Sequence, residues 1–180
     1  MDVQTKLYTM EEFEAFIAEP ENEDRLFELI NGEIIEVSPG RTSNSEPGLL
    51  IAAAVVPFCR KAQIPCHVSG ADGAYKIGKN TVVPDFAYKP TEMSDEYPDP
   101  DPPLWVVEVI SPTDKAPDIR DKRRIYLQAG ILLWELYAPS KSIDVYAPGQ
   151  LVRTAGMDDI LDVGDVIPGF TLAVKEIFGE

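Results

Sequence analysis

The segment Leu104 to Ser111 (LWVVEVIS) constrains the fold most strongly. Its side chains are apolar or β-branched on both alternating faces, with one glutamate among them. A strand that is apolar on both faces is covered on both faces, so the chain needs a sheet with a layer packed on each side. That places Glu108 in the interior. A carboxylate there is strongly unfavourable unless it is paired or holds a metal.

A second acid has the same character. Residues 81–88 read as one strand containing Val82-Val83-Pro84-Asp85-Phe86-Ala87. Alternation gives Asp85 the face of Val83 and Ala87, and gives Glu108 the face of Val106 and Ile110. Taken singly, each acid fits an edge position or a salt bridge. Taken together on neighbouring apolar strands, they repel unless a cation lies between them. A hard, oxygen-preferring ion, Mg²⁺ or Mn²⁺, suits that place. Glu28, flanked by Leu26, Phe27, Leu29 and Ile30, is a third acid of this kind.

The remaining elements follow from local signals. Thr9 and Glu12 have capping-box spacing, which predicts a helix over 10–19 ended by Pro20. Residues 25–37 read as a hairpin turning at Asn31-Gly32. Ser38 to Pro47 reads as a loop, followed by a buried helix that starts at Pro47 and is kinked or shortened at Pro57. Strands are expected near 66–69, 73–77, 131–137, 142–147, 150–154 and 170–174. The proline- and acid-rich stretch 89–103 reads as a surface loop. Two helices then cover a mixed sheet in one α/β domain over residues 1–180.

The helix predicted from Ala116 to Ala129, with Gly130 at its C-terminal cap, supplies a cation. At about 100° per residue, Asp118, Lys122, Ile125 and Ala129 share a stripe, with Ile119 and Tyr126 at its border. Lys122 therefore lies on the buried face, either as a structural ion pair or with its ammonium aimed at a bound phosphate or water. Arg120, Arg123 and Arg124 fall elsewhere. With Arg41 they form either a narrow basic rim or ordinary solvated charges.

Acids number 31 against 16 lysines and arginines, for a net charge of −15 and a pI of about 4.4. That excludes a generic basic coat for nucleic acid or for an anionic membrane. The longest apolar run, Leu49 to Cys59, is too short to span a bilayer. The opening MDVQTKLYTMEEFE lacks the pattern of a signal peptide. Cys59 and Cys66 fit neither a disulfide framework nor a zinc site, which points to reduced thiols and a cytoplasmic location. The single His67 lies in a predicted strand and reads as structural.

These segments, in order, resemble the Uma2 family of the PD-(D/E)XK restriction-endonuclease-like superfamily. The likeness runs through FELINGEIIEVSPG, VPDFAY, PLWVVEVISPTDK, the spacing Asp118–Lys122–Tyr126, Trp134, IDVY at 143–146 and IPGFTLAVKEIF. It implies a restriction-endonuclease-like mixed sheet flanked by helices with additional strands. The implied activity is Mg²⁺- or Mn²⁺-dependent hydrolysis of phosphodiester bonds in DNA. By position, Asp85 matches the acid of the PD motif and Glu108 that of the (D/E)XK motif. Glu28 matches an early family acid. The metal ligands implied are Asp85, Glu108 and the backbone carbonyl of Val109. The usual lysine position holds Ile110, so the resemblance transfers its role to Lys122, with Lys115 as the alternative and Asp118 and Tyr126 in support. Two features depart from the family: Ser45-Glu46-Pro47-Gly48 lacks a histidine common in relatives, and Leu133 to Pro139 lacks an aspartate. Homodimerisation is compatible by analogy. A nuclease-like scaffold that binds metal, nucleic acid or protein without cutting is the alternative reading.

Overall fold

The computed structural model describes residues 6–179; the first five residues and the last one of the expected domain lie outside them. The chain runs α1 (Met10–Ile17), β1 (Phe27–Ile30), β2 (Glu33–Glu36), α2 (Thr42–Ala62), β3 (His67–Gly70), β4 (Tyr75–Ile77), β5 (Asn80–Val82) and β6 (Phe86–Lys89). It continues with β7 (Trp105–Ile110), α3 (Ala116–Gln128), β8 (Leu132–Tyr137), β9 (Ser142–Tyr146), β10 (Arg153–Ala155), β11 (Ile160–Asp162), β12 (Thr171–Ala173) and α4 (Val174–Ile177).

A six-stranded sheet has the order β10-β9-β8-β7-β6-β3, with β7 and β8 parallel and the other pairs antiparallel. The parallel pair needs a crossover, which α3 provides. A four-stranded antiparallel sheet, β2-β1-β5-β4, stands beside it. Residues 105, 107 and 109 of β7 pack with Ile51, Val55 and Cys59 of α2. Val106 packs on the opposite face with Ile125 and Tyr126 of α3. The doubly covered strand is therefore present, and Glu108 belongs to the α3 side.

The Asn31-Gly32 turn has positive φ at both residues, 53° and 91°, as a type I′ turn requires. The capping box at Thr9 and Glu12 is formed. Three expectations need correction. First, α2 starts at Thr42 rather than Pro47 and runs through Pro57 to Ala62. Pro47 and Pro57 both stand inside the helix, and each forgoes one intrahelical hydrogen bond because proline lacks an N–H. Second, residues 81–88 are not one strand. The chain leaves the four-stranded sheet after Val82 and enters the six-stranded one at Phe86, with Pro84-Asp85 between. Third, 89–103 is not merely a surface loop. Asp99 is buried and pairs with the buried ammonium of Lys89 at 2.7 Å, and β11 is an additional strand that no sequence signal marked. Among the described residues no helix is long and apolar enough to cross a membrane.

Candidate active site

The register of β6 on β7 pairs Phe86 with Val107, so Asp85, one residue before the start of β6, faces Glu108. The registers of β7, β8 and β9 then align Glu108 with Glu135 and Glu135 with Asp144. Four acids thus form a row across neighbouring strands on the α3 side. Like charges set opposite one another destabilise a sheet, so the row needs compensation, and consecutive residues of α3 supply most of it. The Lys122 ammonium lies 2.8 Å from Glu108 and 2.9 Å from Glu28. Arg123 forks Glu135 through Nε and Nη2 at 2.8 and 2.6 Å and lies over the Tyr146 ring. The Thr154 hydroxyl donates to Asp144 at 2.6 Å.

Each acid is also held by fixed donors. The Val109 amide donates to Asp85 Oδ2 at 2.7 Å, so the aspartate side chain extends the β-ladder ahead of Phe86, the first residue of β6. The Val83 amide donates to Glu28 Oε1 at 2.8 Å, and the Tyr126 hydroxyl donates to Glu108 Oε1 at 2.5 Å. Gly48 lets α2 approach this corner: a Cβ there would come within 2.9 Å of the Asp85 carbonyl oxygen.

Burial pushes the Glu108 carboxyl up to about 8 against the pull of Lys122, with Asp85 and Glu28 adding repulsion. Burial also raises Asp85, against the Val109 amide and Lys122. Burial works against charge on Lys122 as well, but Glu108 and Glu28 outweigh it and hold the ammonium above its ordinary range. Three carboxyls therefore share one lysine, and the excess negative charge is relieved by a proton on Glu108. The folded protein keeps that proton to higher pH than the unfolded chain, whose glutamate titrates near 4.5. The stability this group contributes is complete below pH 4.5 and is lost as pH rises through about 8. Lys122 does not offset this, because its own contribution is constant below the ordinary lysine range. Denaturant melts of metal-free protein between those pH values should show a decline that Glu108→Gln flattens.

The acids and Lys122 line a cleft of about 700 Å³, bounded by residues 38–40 on one side and by Asp114, Lys115 and Asp118 on the other. Among the described residues no three of His, Cys, Asp and Glu converge into a closed metal cage. The donor set still fits a hard divalent cation. Mg²⁺ usually takes one or two carboxylates and leaves its other positions to water and phosphate oxygens, and the cleft offers Asp85 together with Glu108, whose proton a bound cation would displace.

The structure therefore brings Glu28, Asp85, Glu108, Lys122 and Tyr126 together. Val109 contributes its amide, to Asp85. Lys115 is exposed at the N-cap of α3, and Asp118 is exposed along the cleft. Arg123 does not belong to an outer rim, because α3 spans two strands and adjacent helix positions reach adjacent acids. Sequence reasoning missed Glu135. Its signal was available: an acid inside the apolar strand LLWELY, the same cue that marked Glu108.

The fold is similar to the crystal structure of "a putative nuclease belonging to DUF820" from Anabaena variabilis ATCC 29413, with a TM-score of 0.76 and 20% identity over 94% of this chain and 97% of that one. At that identity the likeness shows the fold. No curated protein matches the chain. The model of the Uma2 family, described as "Putative restriction endonuclease", matches residues 10–175, which is nearly the whole chain. Mixed sheets, flanking helices and family match converge on one assignment: the chain belongs to the Uma2 family.

Proposed function

We propose that the protein is a divalent-metal-dependent endonuclease acting on DNA. The observation that carries this reading is the Lys122 ammonium, set between Glu28 and Glu108 in a cleft that also presents Asp85. Asp85 and Glu108, with the Val109 carbonyl as a third donor, would hold Mg²⁺ or Mn²⁺. When bound, the cation supplies a Lewis acid that makes water more acidic and balances charge on the scissile phosphate.

The chain's own groups do the rest. Lys122 directs a proton-bearing cation at the phosphate oxygens or the attacking water, and stabilises negative charge as it develops. Tyr126 fixes the orientation of Glu108, and the Val109 amide fixes Asp85, so neither acid needs to reorganise during the reaction. Glu28 balances Lys122 from the opposite side and keeps its ammonium in the cleft. A binding module that does not cut is the second reading. It is favoured by one observation: the ammonium is already engaged by two carboxylates.

Calorimetry with Mn²⁺ separates the metal from the chemistry. We expect saturable binding to the wild type and none to Asp85→Ala. Equal binding by both would remove the metal site. Plasmid and single-stranded DNA should be cut at low salt with Mn²⁺ or Mg²⁺, and chelator should stop the reaction. Binding of metal and DNA without cleavage at stoichiometric protein would make the non-cutting module the better reading.

A further inference from the structure

Helix α3 carries charges that the cleft does not use. Five of the chain's 16 lysines and arginines fall between Lys115 and Arg124, in a protein of net charge −15. Lys122 and Arg123 turn into the sheet. Arg120 and Arg124 are exposed on the outer face, one helical turn apart and about 6 Å along the axis. With Leu127 and Gln128 they border a shallow depression of about 420 Å³.

Stability does not account for this pair. Like charges four residues apart weaken a helix slightly. Arg124 meets Asp121 at 3.2 Å in an exposed contact of the kind that contributes little. Among the described residues Arg120 joins no ion pair. Arg123 lines both this depression and the cleft, so the two adjoin across the helix.

We propose that Arg120 and Arg124 form the surface on which the phosphate backbone of a nucleic acid lies as it enters the cleft. The inference rests on the nuclease reading and adds where the substrate is held. Charge complementarity selects the occupant. A polyanion gains from counterion release at a local cationic patch even when the rest of the protein repels it. Contacts of this kind position a backbone without reading its sequence.

The test uses the full chain carrying Glu108→Gln, so that the substrate survives. Binding of a labelled duplex and of a single strand is followed over a range of salt, with and without Arg120→Glu and Arg124→Glu together. Arg60→Glu with Lys61→Glu, at the end of α2 on the other side of the sheet, makes the same change in net charge. We expect the α3 pair to weaken binding at least about tenfold and to reduce the salt slope by roughly 1.5–2, and the α2 pair to do much less. Circular dichroism should show both variants folded. In an otherwise wild-type background, the α3 pair should leave hydrolysis of bis(4-nitrophenyl) phosphate unchanged. Equal losses from the two pairs, or an unchanged salt slope, would overturn the α3 surface and leave the nuclease reading intact. Absence of DNA binding by the parent would overturn both.

Discussion

Lys122→Met is expected to reduce DNA cleavage by at least about 10²–10³-fold, the usual effect of removing a preorganised charge from a reacting phosphate. It should also destabilise the metal-free protein, and more so at alkaline than at mildly acidic pH. The reason is the company Lys122 keeps. Without its ammonium, Glu28, Asp85 and Glu108 face one another across a few ångströms of largely buried space. A proton on Glu108 relieves part of that repulsion, and without Lys122 to pull the carboxyl down it is kept to higher pH than in the wild type. Once that proton is lost, nothing replaces it. Lys115→Met, at the exposed helix start, should retain most of the activity. Cleavage that survives Lys122→Met but not Lys115→Met would move the role to the loop lysine.

The second large effect lies at the other end of β6. Lys89→Met is expected to cost about 3–5 kcal/mol, as for other buried ion pairs broken from one side, and to lower the melting temperature by roughly 10 °C. Lys89 is 1% exposed and its ammonium contacts Asp99 at 2.7 Å. Asp99 in turn accepts the amides of Ser94 and Asp101, and so folds the 90–103 segment back onto the sheet. Burial alone would raise the Asp99 carboxyl, but Lys89 and these amides hold it below its ordinary value. Adding Asp99→Asn to Lys89→Met should recover part of the loss, because a carboxamide oxygen still accepts an amide without a buried charge. If Lys89→Met melts within a degree or two of the wild type, the pair is not a staple. Cleavage measured below the melting transition should be little changed, because this cluster lies away from the cleft.

The two ends of β6 differ in how far the sequence discloses them. Around Glu108, local pattern was enough. An acid amid β-branched residues flagged the strand, and helical periodicity put Lys122 on the face that meets it. The alternation argument gave Asp85 the correct side of the sheet even though the strand breaks at Pro84, because the side chain itself continues the ladder. Glu28 showed itself as an interior acid, but its lysine partner lies 94 positions away, and only the tertiary fold brings them together. Arg123 escaped because a helical wheel assumes one buried stripe, whereas a helix laid over two strands buries two neighbouring positions. Asp99 escaped for a different reason. Composition made its loop look solvated, and the lysine it answers stood at the end of an apolar strand with nothing local to announce a partner.

The adjacency of Lys122 and Arg123 has an evolutionary consequence. Their two acids sit side by side on parallel strands, so both neutralisations depend on a single rotational setting of α3. One residue inserted between positions 116 and 121 would turn the following part of the helix by about 100° and strand Glu108 and Glu135 together. Length changes in the 111–115 turn can instead be absorbed before the helix begins. Descendants of this chain should therefore vary in the length of that turn while keeping the count from helix start to lysine. A lysine carried in this way is tied to the helix rather than to the strand beneath it, so position 110 is free to hold an isoleucine.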